Sequence, residues 1–154
     1  MSSFNVFCRP MRRWALVVAL LGLTGAAVRA QPTDSIVVVA KHHAEVPRLS
    51  VEQVSGIFMG QTDMLPNGTV VTPVDAPEST ALYQDFYRKV TGKSAAQIKA
   101  YRARQAFTGV GIPPRQAATL AQAFNRGSKE SAVITYIWKR ELDDQLQVVF
   151  DAGK

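Results

Sequence analysis

A chain of 154 residues, 47% hydrophobic and 19% charged, with a single cysteine, has room for one domain with a modest core and none for a disulfide framework. Its formal charge of +6 is concentrated at one end: four of its 18 Lys and Arg (Arg9, Arg12, Arg13, Arg29) precede Gln31 and none of its 12 Asp and Glu does, leaving 14 against 12, or +2, for the rest. Such a balance argues against nucleic-acid binding.

The first thirty residues read as a secretory signal. Arg9, Arg12 and Arg13 form a basic start, Trp14 to Leu23 is apolar, and small residues lead to Val28-Arg29-Ala30, a cleavage pattern before Gln31. The apolar run falls short of the roughly 20 residues that a membrane span needs. An exported domain of residues 31–154, not membrane-spanning after cleavage, is therefore expected, with an uncleaved anchor as the competing reading and Met1 or Met11 as the start. Cys8 leaves with the signal, so no thiol chemistry is expected.

Ser35 to Ala40 is a β-branched apolar run of the kind buried on both faces, as in a parallel sheet. Ser50 with Gln53 forms a capping box that opens a helix whose apolar face is Val51, Val54 and Ile57 or Phe58 and which ends at Gly60. Pro66-Asn67-Gly68 is a turn, and Thr69 to Val74 a second strand. Leu82 to Val90 is a helix stopped by Gly92, and Ser94 opens the next, to about Phe107. Gly109, Gly111, Pro113 and Pro114 form a loop, and Gln116 to Asn125 a further helix. Ala132 to Ile137 and Leu146 to Phe150 are strands, separated by a short polar helix or turn at Lys139 to Asp144. Strands alternating with helices predict a single α/β domain. Phe58, Phe86, Tyr87 and Phe124 fall among apolar residues at helical spacing and are expected in its core.

The chemistry-bearing residues are sparse. His42 and His43 are adjacent, so on an extended chain they face opposite ways, and no other His accompanies them. No metal site is expected. Neither a nucleophile elbow, nor a dinucleotide fingerprint, nor a phosphate-binding loop is present, and neither a cofactor nor an enzymatic activity is expected. Two stretches remain. In Val74-Asp75-Ala76-Pro77-Glu78-Ser79-Thr80 a strand runs into a helix, where free N–H groups favour an anion. One reading makes Asp75 the helix cap, with Glu78 at the third helical position. The other gives Ser79 and Thr80 to a bound oxyanion. In Ala103 to Pro114, Arg104 lies a turn before Thr108-Gly109 and can chelate an oxyanion there. Arg102 and Arg115 read as surface residues.

The runs S-x-E-Q-V-x-x-I-F-x-G (Ser50–Gly60), P-V-D-x-P-E (Pro73–Glu78), F-Y-x-K-V-x-G-K-S (Phe86–Ser94) and F-T-G-x-G-x-P-P (Phe107–Pro114) resemble the small exported proteins named phosphate ABC transporter substrate-binding proteins. These are short relatives of the type 2 periplasmic binding proteins. The resemblance implies a single periplasmic-binding-protein-like lobe with a mixed or mostly parallel sheet flanked by helices. It also implies a periplasmic location and non-enzymatic binding of phosphate or a similar small oxyanion for an ABC uptake system. Ser79, Thr80, Arg104, Thr108 and Gly109 are the expected contacts. In full-length receptors the turn looks like Arg-x-Asp-Gly-Ser-Gly-Thr, whereas here the Arg and glycines are missing and Pro77 removes a backbone donor. That departure leaves a second reading open: an envelope protein–protein module, facing a membrane permease, porin or sensor, that keeps the receptor fold without the ligand.

Overall fold

A computed structural model describes residues 34–127 and 131–153, all within one unit, Pro32–Lys154. The expected signal segment, residues 1–30, and Cys8 lie outside the described residues. Five strands, β1 (Ile36–Lys41), β2 (Val71–Asp75), β3 (Arg115–Gln116), β4 (Ala132–Trp138) and β5 (Leu146–Asp151), form one mixed sheet in the order β3-β2-β4-β1-β5. Residues 36–40 of β1 are completely buried, as their composition predicts. The parallel pairing suggested for that run does not hold: β1 is antiparallel to both β4 and β5. A continuous apolar run reports burial on two faces, and burial is blind to strand direction. The parallel part of the sheet is β2, which pairs with β3 and β4.

Helices cover both faces. Ile36, Val38, Ala40, Ile134 and Tyr136 point to one side, where they meet α1 (Val51–Phe58), α2 (Ala81–Thr91) and α3 (Ala95–Thr108) through Val54, Ile57, Phe58, Tyr83, Phe86, Tyr87 and Ile98. Phe86 stacks on Tyr136 with ring centroids 3.7 Å apart, and Phe58 meets Phe86 edge-on at 4.9 Å. Val37, Val39, Val74, Val133 and Ile137 point the other way, toward Leu120, Ala123 and Phe124 of the short α4 (Leu120–Phe124). Alternation of side chains along each strand thus builds two cores on one sheet.

The helix ends follow local chemistry. Ser50 with Gln53, and Ser94 with Gln97, make reciprocal capping boxes on α1 and α3. α2 and α3 end on Gly92 and Gly109 in the left-handed conformation. The helix expected from Gln116 is shorter: Arg115 and Gln116 instead pair with Val74 and Asp75 as β3, and α4 begins after its cap Thr119. Lys139–Glu141 is a single 3-10 turn.

Candidate functional site

β2 runs one residue further than its apolar pattern shows and ends on Asp75. This residue is not the cap of α2, and Glu78 is not its third helical position. The cap is Thr80, whose Oγ1 accepts from Tyr83 N at 3.3 Å and donates to Pro77 O at 2.7 Å. Asp75 faces inward, 1% exposed, toward the aromatic core. Tyr87 Oη donates to its carboxylate at 2.9 and 3.0 Å, and Tyr136 Oη donates to Oδ1 at 3.1 Å. Arg102 Nη2, reaching in from α3, donates to Oδ2 at 2.5 Å and to Tyr87 Oη at 2.6 Å. Tyr136 Oη also accepts from Ala76 N at 3.2 Å, which ties the start of the β2–α2 turn to β4.

The electrostatics follow from this enclosure. Burial pushes the Asp75 carboxyl up, while Arg102 and the two phenols pull it down; the balance is about 6. Burial and the Asp75 charge push the Tyr87 and Tyr136 phenols far up, so both stay protonated donors. Burial works against the Arg102 charge, but Asp75 together with Tyr87 and Tyr83 outweighs it and holds the guanidinium above its ordinary value. Arg102 also lies 3.7 Å from Glu78 and packs over the rings of Tyr83 and Tyr87. Far from being a surface residue, Arg102 has a side chain only 12% exposed. Its pattern signal was present: Ile98, Arg102 and Gln105 fall at i, i+4 and i+7, on the buried face of α3.

The other expected contacts scatter. Arg104 is off that face and exposed, its Nε turned back toward Ala100 O. Thr108 Oγ1 donates to Arg104 O at 3.0 Å, and Gly109 closes α3. Ser79 is exposed on the turn. Of the five, Thr80 alone lines an open cleft of ≈ 530 Å³ at the carboxyl ends of the parallel strands. Ala76 and Pro77 follow β2 there, Ala117 to Leu120 follow β3, and Tyr136 to Trp138 end β4. Thr80 uses its hydroxyl on Tyr83 N, so the N–H groups of Ala81 and Leu82, on the wall of the cleft, have no intrahelical partner. Thr119 caps α4 on the opposite wall, and Glu141 stands at the rim. Among the described residues no three His, Cys, Asp or Glu side chains lie close enough to hold a metal ion.

No family model and no curated protein matches the chain. Solved structures do. An ABC-type phosphate transport receptor from Vibrio cholerae superposes with a TM-score of 0.55 at 14% identity, over 75% of this chain and 45% of the receptor. A putative phosphate ABC transporter substrate-binding protein with bound phosphate, from Clostridium perfringens, does so with a TM-score of 0.55 at 16% identity, over 75% of this chain and 44% of its own. The fold is that of part of a phosphate receptor. The chain spans less than half the length of those proteins, consistent with a short, single-lobe form of the fold. They are binding proteins rather than enzymes, and no helix among the described residues is long and apolar enough to cross a membrane.

Proposed function

We propose that this domain is a non-enzymatic solute-binding module of the periplasm, serving an ABC uptake system, and that a small oxyanion of the phosphate class lodges in the cleft at the carboxyl ends of β2, β3 and β4. The observation that carries the reading is the place of the cleft: in open α/β sheets ligands lodge outside the carboxyl ends of the strands, beside a helix start. Here the donors are the N–H groups of Ala81 and Leu82 and the hydroxyl of Thr119. Among the described residues no Lys or Arg lines the cleft, and Glu141 does. A fully ionised anion is disfavoured there, whereas an oxyanion that retains a proton can donate to Glu141. Binding is therefore expected to be weak, with a Kd of roughly millimolar order, and tighter at pH 6 than at pH 8.

Calorimetric titration with inorganic phosphate tests this, with Ala81→Asp alongside. An acid at the first position of α2 suits the helix dipole and leaves folding intact, but it places a charge where the anion would sit. Saturable heat that Ala81→Asp abolishes and Arg104→Ala leaves in place is the expected result. The commitment of Arg102 to Asp75 and Glu78, which leaves the turn without a free cation among the described residues, favours the second reading, a protein–protein module without solute. No heat up to roughly 50 mM phosphate, well above the expected Kd, from folded protein would select that second reading.

A further inference from the structure

We infer that the turn after α3 is a docking wedge for anionic lipid surfaces. Phe107, Val110 and Ile112 are 94%, 69% and 85% exposed, the largest exposures of any large apolar side chains among the described residues. They are held out by a fixed base. Gly109 and Gly111 take positive φ, Pro114 is buried, and a Cβ at Gly111 would come within 2.4 Å of Gly60 O. The wedge therefore projects from an anchored turn, and its apolar tips are a built feature of the surface.

Its surroundings are basic. Residues 86–129 hold nine Lys and Arg and no Asp or Glu; of these, Arg102 is turned inward onto Asp75 and Arg88 is paired with Asp85. Arg104 lies one turn before Phe107, and Arg115 three residues after Ile112. Arg126 lines the same groove as Ile112 and Arg115, and among the described residues Asp63 is the one acid on that groove's wall. Apolar tips with the exposed Arg104 and Arg115 close by along the chain match a bilayer interface, where the tips enter the acyl boundary and the cations meet lipid phosphates. A second copy of this chain is a poorer occupant. Two-fold pairing through the wedge sets Arg104 and Arg115 against themselves.

The test uses the chain from Gln31 on, since the apolar run of residues 14–23 would bind lipid by itself; every buried core residue described lies at Ile36 or beyond, and circular dichroism verifies folding. Sedimentation is measured with phosphatidylcholine vesicles, alone and with roughly a quarter phosphatidylglycerol. Binding to the anionic vesicles, weakened by salt and slight on the neutral ones, is expected. Phe107→Ser with Ile112→Ser should reduce it about tenfold or more, and Arg104→Ser with Arg115→Ser roughly twenty-fivefold, about fivefold per charge. Melting temperatures should be unchanged, since these side chains are exposed. Failure to bind, or binding that survives both double variants, overturns the inference. So does a dimer seen by light scattering that the apolar variant dissolves, since that assigns the wedge to a second copy.

Discussion

Replacing Arg102 by Met should cost up to about 2 kcal/mol more stability at pH 7.5 than at pH 5. The side chain of Asp75 has no exposure, and among the described residues Arg102 is its one charged partner within 4 Å. Removing the guanidinium leaves a buried, uncompensated carboxylate, the costly half of a broken buried pair. The pH dependence follows from the carboxyl itself. Its folded value of about 6 lies above the ordinary 3.8. Between those values the folded chain keeps a proton that the unfolded chain has released. Stability from this group is therefore complete below about 4 and is lost as pH rises through 6, about 3 kcal/mol in all. Without Arg102 the carboxyl titrates higher still and the loss extends toward neutral pH. At pH 5 Asp75 is largely protonated in both proteins, so little ion pair remains to lose. Urea denaturation of both proteins at the two pH values measures the difference, and the double variant Asp75→Asn, Arg102→Met should recover most of the loss at pH 7.5. Equal losses at both pH values would mean that Arg102 acts through packing over Tyr83 and Tyr87 and not through the charge of Asp75.

Much of the fold was legible because its signals are local. Ser50 with Gln53, Ser94, Gly92 and Gly109 mark helix ends through hydrogen bonds that each end makes with its own neighbours. The two-residue β3 was not legible, since it has no periodicity and exists only through backbone pairing with Val74 and Asp75. Nor was the direction of β1, which depends on partners about a hundred residues away. The Asp75 cluster shows the same limit. An Asp before Ala-Pro-Glu is a good cap in isolation, and only the meeting of α2, α3 and β4 supplies the donors that draw it inward. Tyr87 was read as core, and it is buried, but spacing says nothing of where its hydroxyl ends. The choice between Arg102 and Arg104 turned on a two-residue step around α3. Thr108 and Gly109 beside Arg104 pointed to the loop, whereas the i, i+4, i+7 register with Ile98 pointed to the buried face.

Gly111→Ala should destabilise the domain by about 3 kcal/mol or more, and Gly109→Ala by only about 1 kcal/mol. Both glycines have positive φ, +82° and +68°, so each alanine bears the strain of the left-handed conformation. They differ in space. A Cβ at Gly109 meets nothing within 4 Å, whereas one at Gly111 lies 2.4 Å from Gly60 O and 2.5 Å from Gln105 Nε2. The crossing is reciprocal, since a Cβ at Gly60 would stand 2.6 Å from Ile112 O. Gln105 is itself buried and donates to Met59 O at 2.9 Å, so it cannot swing aside without giving up that bond. Relief at Gly111 thus requires moving the end of α1 or the whole turn that carries Val110 and Ile112. Chemical denaturation of the two variants isolates the close approach, because the conformational strain largely cancels between them. Equal losses would show that the turn gives way easily, and a yielding turn could not hold Phe107, Val110 and Ile112 as a fixed wedge; a large excess loss at Gly111 would mean that the Gly60–Gly111 crossing fixes their display.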